Sequence, residues 1–332
     1  MRPRVYVTQP IAPSALERLR AAADVTMNDD PLRIPTPPEL AAAARGADIL
    51  LCLLHDDVTA EVIGANPKLR AICSMAITPA NVDVAEATRL GIPVTAIPAP
   101  LLDDATADLA FGLLLAVGRR IGEADRAVRA GAVIGCQSRH FESLGVSGRT
   151  LGLLGMGGVG RAMARRARAF GMTLLYHDPK RLAAADEASL GLTWVPFDEL
   201  FSRSDYVSVH VSLTRETRHL IGAREFALMK PGAYFVNSAR GGLVDQDALV
   251  RALAEGRIAG AGLDVFEGEP HIDPRLRALP NVALTPHMGS AVAGLREAMA
   301  NVVADNVLAV VAGKRPPNCW NPEIYEQRKM QA

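Results

Sequence analysis

The chain has 332 residues, 49% hydrophobic and 22% charged, and its 36 basic and 36 acidic side chains cancel. That length exceeds one ordinary hydrophobic core and argues for two domains. Zero net charge removes the usual basis for binding nucleic acid or an anionic membrane, and the longest apolar run, Leu109–Val117, is too short to span a bilayer.

The opening Met-Arg-Pro-Arg-Val-Tyr-Val-Thr lacks the apolar stretch of a secretory signal. Val5–Val7 reads as a strand, Ser14–Ala22 as a helix, and Ile49–Cys52 and Leu69–Ser74 as buried strands. Helices are expected around Pro38–Arg45 and Thr59–Ile63, and one long helix from Asp103 to about Arg129. Cys52, Cys73, Cys136 and Cys319 lie far apart, with no CxxC pair and no histidines at metal-ligand spacing. This predicts reduced thiols, no metal site and a cytoplasmic protein.

A second series begins at Thr150–Leu154 and continues with Leu174–Tyr176, Tyr206–Val211, Ala233–Asn237, Gly260–Leu263 and Val282–Leu284, with helical patterns between. Strict alternation of strand and helix predicts parallel sheets covered on both faces, hence two doubly wound α/β domains with a cleft between them. A final helix is expected over about Ser290–Val311, ending at Gly313 before Pro316-Pro317. The basic cluster Arg161, Arg165, Arg166 and Arg168 has helical spacing and reads as a solvated face.

The run Gly155-Met-Gly157-Gly158-Val159-Gly160 follows a strand and opens a helix. Glycines there permit a tight turn and close approach of a pyrophosphate to the helix N-terminus. Asp178 follows the next strand, 23 residues after Gly155, close to the spacing of the acid that accepts the ribose hydroxyls. It favours NAD over NADP, a preference that Lys180 and Arg181 nearby would soften. Three further residues complete a redox site. Arg240, in Asn-Ser-Ala-Arg-Gly-Gly after the strand ending at Asn237, offers a fork for a carboxylate and its adjacent keto oxygen. His287, in Thr-Pro-His-Met-Gly-Ser, has the chemistry to protonate an alkoxide as hydride reaches carbon. Glu269, in Asp-Val-Phe-Glu-Gly-Glu-Pro, can orient that imidazole, whereas Glu267 reads as a surface acid.

These segments resemble the D-isomer-specific 2-hydroxyacid dehydrogenase family over nearly the whole length, most strongly from Thr150 to Ser290. The matching signatures are Gly155–Gly160 with Asp178, Met229 through Arg240-Gly, and Gly262 through Glu269-Pro with Pro286-His287. The resemblance implies a Rossmann-type cofactor domain, 101–288, inserted into a flavodoxin-like outer substrate domain built from 1–100 and 289–332. It also implies homodimers formed through the cofactor domain. The implied reaction is NAD-dependent interconversion of a 2-keto acid and its (R)-2-hydroxy acid. Arg240 would bind the carboxylate and carbonyl, His287 would be the acid/base, and Glu269 would tune it. Thr106 and Asp264 would approach the nicotinamide, His210 and Val211 would line the adenosine side, and Thr217 and Ala239 would also bind the cofactor. Met75, Ile77, Thr78 and Ser290 would meet substrate, with Leu54 and Phe141 on an apolar wall.

The sequence departs from the family in places. Thr78 stands where the substrate loop usually has glycine, and Pro79 has no N–H to donate to a carboxylate. Gly158 replaces a common arginine, and Ser212 a common proline. Thr285–Val292 with Arg296 resembles the phosphite-oxidising branch of the family, but Ile77 occupies the place of that branch's lysine. The same fold also serves as an NAD-sensing scaffold, and no low-complexity tail of the kind that suits such a role is seen.

Overall fold

The computed structural model describes residues 2–132 and 135–326. The described chain falls into two compact units, one of residues up to 101 together with 291 onward, the other of residues 102–290. The extreme ends expected in the outer domain, residue 1 and residues 327–332, lie outside the described residues.

The first unit contains β1 (Arg4–Val7), α1 (Pro13–Ala22), β2 (Asp24–Met27), α2 (Pro37–Gly46), β3 (Ile49–Cys52), α3 (Ala60–Gly64), β4 (Ala71–Ser74), α4 (Val84–Arg89) and β5 (Val94–Thr95). Its strands pair in parallel in the order β2-β1-β3-β4-β5, a doubly wound arrangement. Every residue of β3 and β4 is buried, as a sheet covered on both faces requires. Leu40, Leu50, Ile63, Ile72 and Val94 form the core on one side. The last long helix of the chain packs on α1, where Arg18 bonds Asn301 (2.8 Å) and Asp305 (2.5 Å).

The second unit contains α5 (Asp103–Gly118), α6 (Ile121–Arg129), β6 (Thr150–Leu154), α7 (Gly158–Ala169), β7 (Thr173–His177), α8 (Ala184–Leu190), β8 (Leu192–Trp194), α9 (Phe197–Arg203), β9 (Tyr206–Val209), α10 (Ala223–Leu228), β10 (Tyr234–Asn237), α11 (Gln246–Ala254), β11 (Gly260–Leu263), α12 (Pro274–Ala278) and β12 (Val282–Leu284). The closing helix, α13, is Ala293–Val311. The order β12-β11-β10-β9-β6-β7-β8 reverses between β6 and β9, so the ligand-binding edge lies at their carboxyl ends. Leu154, Phe201, Val207 and Phe235 fill one side of this sheet, and Leu153, Tyr176, Met163 and Leu114 the other.

The structure corrects the sequence reading in four places. The long helix expected from Asp103 to Arg129 is two helices, because Arg120 adopts a left-handed conformation (φ 53°) between α5 and α6. Gly118 ends α5 where a Cβ would come within 2.9 Å of the Tyr206 ring. Secondly, the short strands β2, β5 and β8 join the sheets without a marked apolar run, and Leu69 and Arg70 stand outside β4. Thirdly, α13 begins three residues later than expected. Lastly, the α7 arginines are not simply solvated: Arg166 bonds Asp104 (3.0 Å) and Asp108 (2.7 Å) on α5, and Arg161 bonds Asp186 (3.1 Å).

All four cysteines are free, and burial raises the Cys73 thiol pKa to about 12. Among the described residues no helix is long and apolar enough to cross a membrane.

The contact at Gly118 is directly testable. Gly118→Ala forces the buried Tyr206 ring to move and should cost about 1–3 kcal/mol. Gly112→Ala, whose Cβ meets nothing within 4 Å on the same helix, should gain up to about 1 kcal/mol. Urea unfolding of both variants checks the contrast, and equal stabilities would show that Tyr206 is not the constraint.

Candidate active site

The glycine turn grows from the end of β6. Gly155 has φ 92°, and a Cβ on it would lie 2.7 Å from the His210 carbonyl oxygen. Gly160 lies where a Cβ would run into the Gly155 carbonyl oxygen, which lets α7 start tightly against the strand. Gly157 caps α7, and nothing lies within 4 Å of the position its Cβ would take. The turn is therefore packed on its inner side and open at the helix N-terminus, as a pyrophosphate cradle requires. Val159 packs inward against the core.

Asp178 follows β7 and is held by two backbone donors, Met156 N–H and Lys180 N–H, each at 2.9 Å. Its carboxylate is thus fixed beside the turn. Arg181, expected to soften the NAD preference, is committed elsewhere. It makes two bonds to Glu187 (2.8 and 3.0 Å), which also accepts the Tyr176 hydroxyl (2.6 Å). These two partners lower the Glu187 pKa to about 2.

His210 follows β9. Its Nε2 lies 3.0 Å from Ser208 Oγ, and its Nδ1 is buried without a partner among the described residues. Burial lowers its pKa to about 4, so the ring is neutral near pH 7. Val211 packs on the core, while the Thr217 hydroxyl bonds Ser212 O (2.8 Å) within its own loop. The open cradle and the orphaned His210 nitrogen both fit a bound dinucleotide.

The strands β10 and β11 place the remaining residues at the same carboxyl edge. Asn237 ends β10 and clamps the next turn, accepting Ala239 N–H (3.0 Å) and donating to Arg240 O (2.9 Å). Arg240 is partly buried and donates through Nη1 to Ala239 O (2.7 Å). Burial lowers its pKa, and the Glu269 charge opposes that shift. Asp264, after β11, accepts from the Thr285 hydroxyl (2.6 Å), Met288 N–H (2.8 Å) and Gly289 N–H (3.0 Å). Burial still raises its pKa. The loop so tied holds His287 at φ 53° and brings its Nδ1 to 2.6 Å from Glu269 Oε2. Glu269 Oε1 accepts Phe266 N–H (2.7 Å), which fixes the carboxylate. Thr106, on the first turns of α5, comes within 3.4 Å of the Cβ position of Gly289, and Ser290 closes the loop half-buried.

In the first unit, Met75, Ile77 and Thr78 lie on the loop after β4. That loop is tied to the one after β3, because Asn81 donates to Leu53 O (2.8 Å) and Asp56 O (2.7 Å).

Two expectations change. Phe141 is not with Arg240 and His287. Its ring faces the Arg120 guanidinium at 5.4 Å, beyond the end of α5 that meets the first residues of β9 and β10. Glu267 is not a bare surface acid, since it pairs with Arg218 (2.5 Å) and His219 (2.9 Å). Sequence reasoning missed Asn237 and Thr285, which shape the turns carrying Arg240 and His287. An Asn directly after a buried apolar strand was the available signal for the first.

A nicotinamide-dependent oxidoreductase is the class that this fold and this edge define. A family model described as D-isomer specific 2-hydroxyacid dehydrogenase, NAD binding domain, matches residues 111–289. A glyoxylate reductase of Thermococcus litoralis is 44% identical over 98% of this chain and 98% of its own. A solved protein of Thermus thermophilus is 40% identical with a TM-score of 0.87, covering 96% of this chain and 99% of its own. A solved glyoxylate reductase of Paecilomyes thermophila is 32% identical with a TM-score of 0.81, covering 97% and 100%. The chain belongs to the D-isomer-specific 2-hydroxyacid dehydrogenase family, acting with NAD on 2-keto and 2-hydroxy acids.

Proposed function

We propose that the chain reduces glyoxylate to glycolate with NADH in the cytoplasm, with Arg240, Glu269 and His287 as its catalytic residues. The observation that carries the assignment of roles is the His287–Glu269 pair, at 2.6 Å in a half-buried setting within the field of Arg240. The substrate assignment draws on full-length similarity to glyoxylate reductases. When bound, the nicotinamide supplies the hydride. Arg240 holds the substrate carboxylate and polarises the keto oxygen. Glu269 accepts the Nδ1–H of His287, which orients the ring toward the substrate. The opposite nitrogen, Nε2, then gives its proton to the carbonyl oxygen as hydride reaches carbon, so the product leaves as a neutral hydroxyl. Substrate contact by Met75, Ile77, Thr78 and Ser290 belongs to the same reading. The cofactor domain is assigned to 101–288, with Gly155, Gly157, Gly158, Val159, Gly160, His210, Val211, Thr217, Ala239, Thr106 and Asp264 along the cofactor.

Loss of NADH absorbance with glyoxylate tests the reaction. Arg240→Ala should abolish turnover while NADH still binds, and His287→Ala should lower kcat by about 10²–10⁴-fold. Turnover near the native level in either variant would remove that residue from the mechanism.

NAD preference over NADP is part of the same reading: Asp178, held by two amides, would accept the ribose hydroxyls and repel a 2′-phosphate, and Arg181 is paired with Glu187. Asp178→Ala should raise the NADPH-to-NADH ratio of kcat/KM by about tenfold or more, roughly the effect of one lost charge conflict. A native enzyme that already prefers NADPH would contradict this assignment.

Assembly as a homodimer through the cofactor domain is part of the proposal. On α6, Ile121 (53% exposed) and Val128 (63%) present apolar surface. Nearby, Val117, Arg120, Glu123, Tyr234 and Asn281 line a cavity of about 290 Å³. Light scattering should give twice the mass of one chain for the native protein, and Val128→Asp should shift the population toward monomer. A monomeric native protein would refute this assembly.

A further inference from the structure

Asp103, the first residue of α5, places its carboxylate against Gly158, the first residue of α7. A Cβ built on Gly158 would fall inside that carboxylate, so a longer side chain there would displace it. Among the described residues no hydrogen-bond donor reaches the Asp103 carboxylate. Its neighbour Asp104 is well supplied, accepting from Arg165 (3.2 Å) and Arg166 (3.0 Å). An unpartnered carboxylate thus stands at the end of α7 whose free N–H groups and dipole attract an anion. The same end is open at Gly157.

We propose that Asp103 sets the affinity for the cofactor: its carboxylate opposes the NAD pyrophosphate at the α7 N-terminus, and binding takes up a proton at Asp103. The inference rests on the reading of the glycine turn as the cofactor cradle.

The surrounding charges favour this behaviour. Burial raises the Asp103 pKa, Asp104 adds to the rise, and Arg165 opposes both. The other cations on this face of α7 are engaged, Arg161 by Asp186 and Arg166 by Asp104 and Asp108. A pyrophosphate beside Asp103 raises its pKa further, so the bound state holds the proton to higher pH than the free protein. Below the free-state pKa, Asp103 is neutral in both states and affinity is greatest. Between the two pKa values Kd weakens by up to tenfold per pH unit, and above both it levels at its weakest.

The test is the Kd of NADH for the full chain, read from nicotinamide fluorescence as pH rises from just above the ordinary carboxylate range to mildly alkaline. Native protein should bind more weakly as pH rises. Asp103→Asn should bind about tenfold more tightly at the alkaline end, with little dependence on pH. Asp103→Ala, which removes the charge without leaving an amide, should show the same flattening. Native-like Kd and native-like pH slope in both variants would overturn the proposal while leaving the cofactor reading intact. A native protein that binds no NADH at any pH would overturn both.

Discussion

The position of His287 depends on one buried carboxylate. Asp264 leaves the end of β11 and gathers the Thr285 hydroxyl and the amides of Met288 and Gly289, while its own carbonyl accepts His287 N–H (2.8 Å). Four bonds to one residue leave the 285–289 loop little freedom. They hold His287 in a left-handed conformation that few residues other than glycine adopt readily. Without that tether the imidazole would be a loop side chain with many rotamers, and its 2.6 Å approach to Glu269 would be one state among several. A parallel strand thus ends in an acid that ties down the loop after the next strand, and His287 is displayed from that loop.

A similar division of labour holds across the carboxyl edge. Asn237 clamps the turn from which Arg240 projects, and Phe266 N–H fixes the carboxylate of Glu269. At the cofactor end, Met156 and Lys180 amides immobilise Asp178. In each case a backbone group or a short polar side chain positions one of the proposed site residues. This is how a sheet edge, which offers only places, comes to hold a constellation.

Much of this was legible in the sequence because the inner strands are buried on both faces and spell largely apolar runs, as in Ile49–Cys52. The glycine turn was legible because its spacing matches the steric demands met at Gly155 and Gly160, with Gly157 left open between them. Arg240, Glu269 and His287 stood out through their local contexts, although their convergence required the fold. The break between α5 and α6 was not legible. Its apolar pattern runs on without proline, and the left-handed turn at Arg120 leaves no mark in that pattern. Short strands such as β2, with alternating exposure, and β8 carry too few residues for periodicity to declare them. The pairing of the α7 arginines with α5 was likewise hidden, since it depends on which helix lies alongside.

The Tyr176–Glu187–Arg181 cluster has a bearing on how coenzyme use evolves in such a chain. Releasing Arg181 while Asp178 remains gives a cation beside an acid that keeps its own charge and its two amide bonds. Removing Asp178 while Glu187 remains opens the space but leaves the nearest guanidinium fastened away. Asp178 and Arg181 thus sit on one short segment with separate partners, and substitutions at the two are expected to couple rather than add.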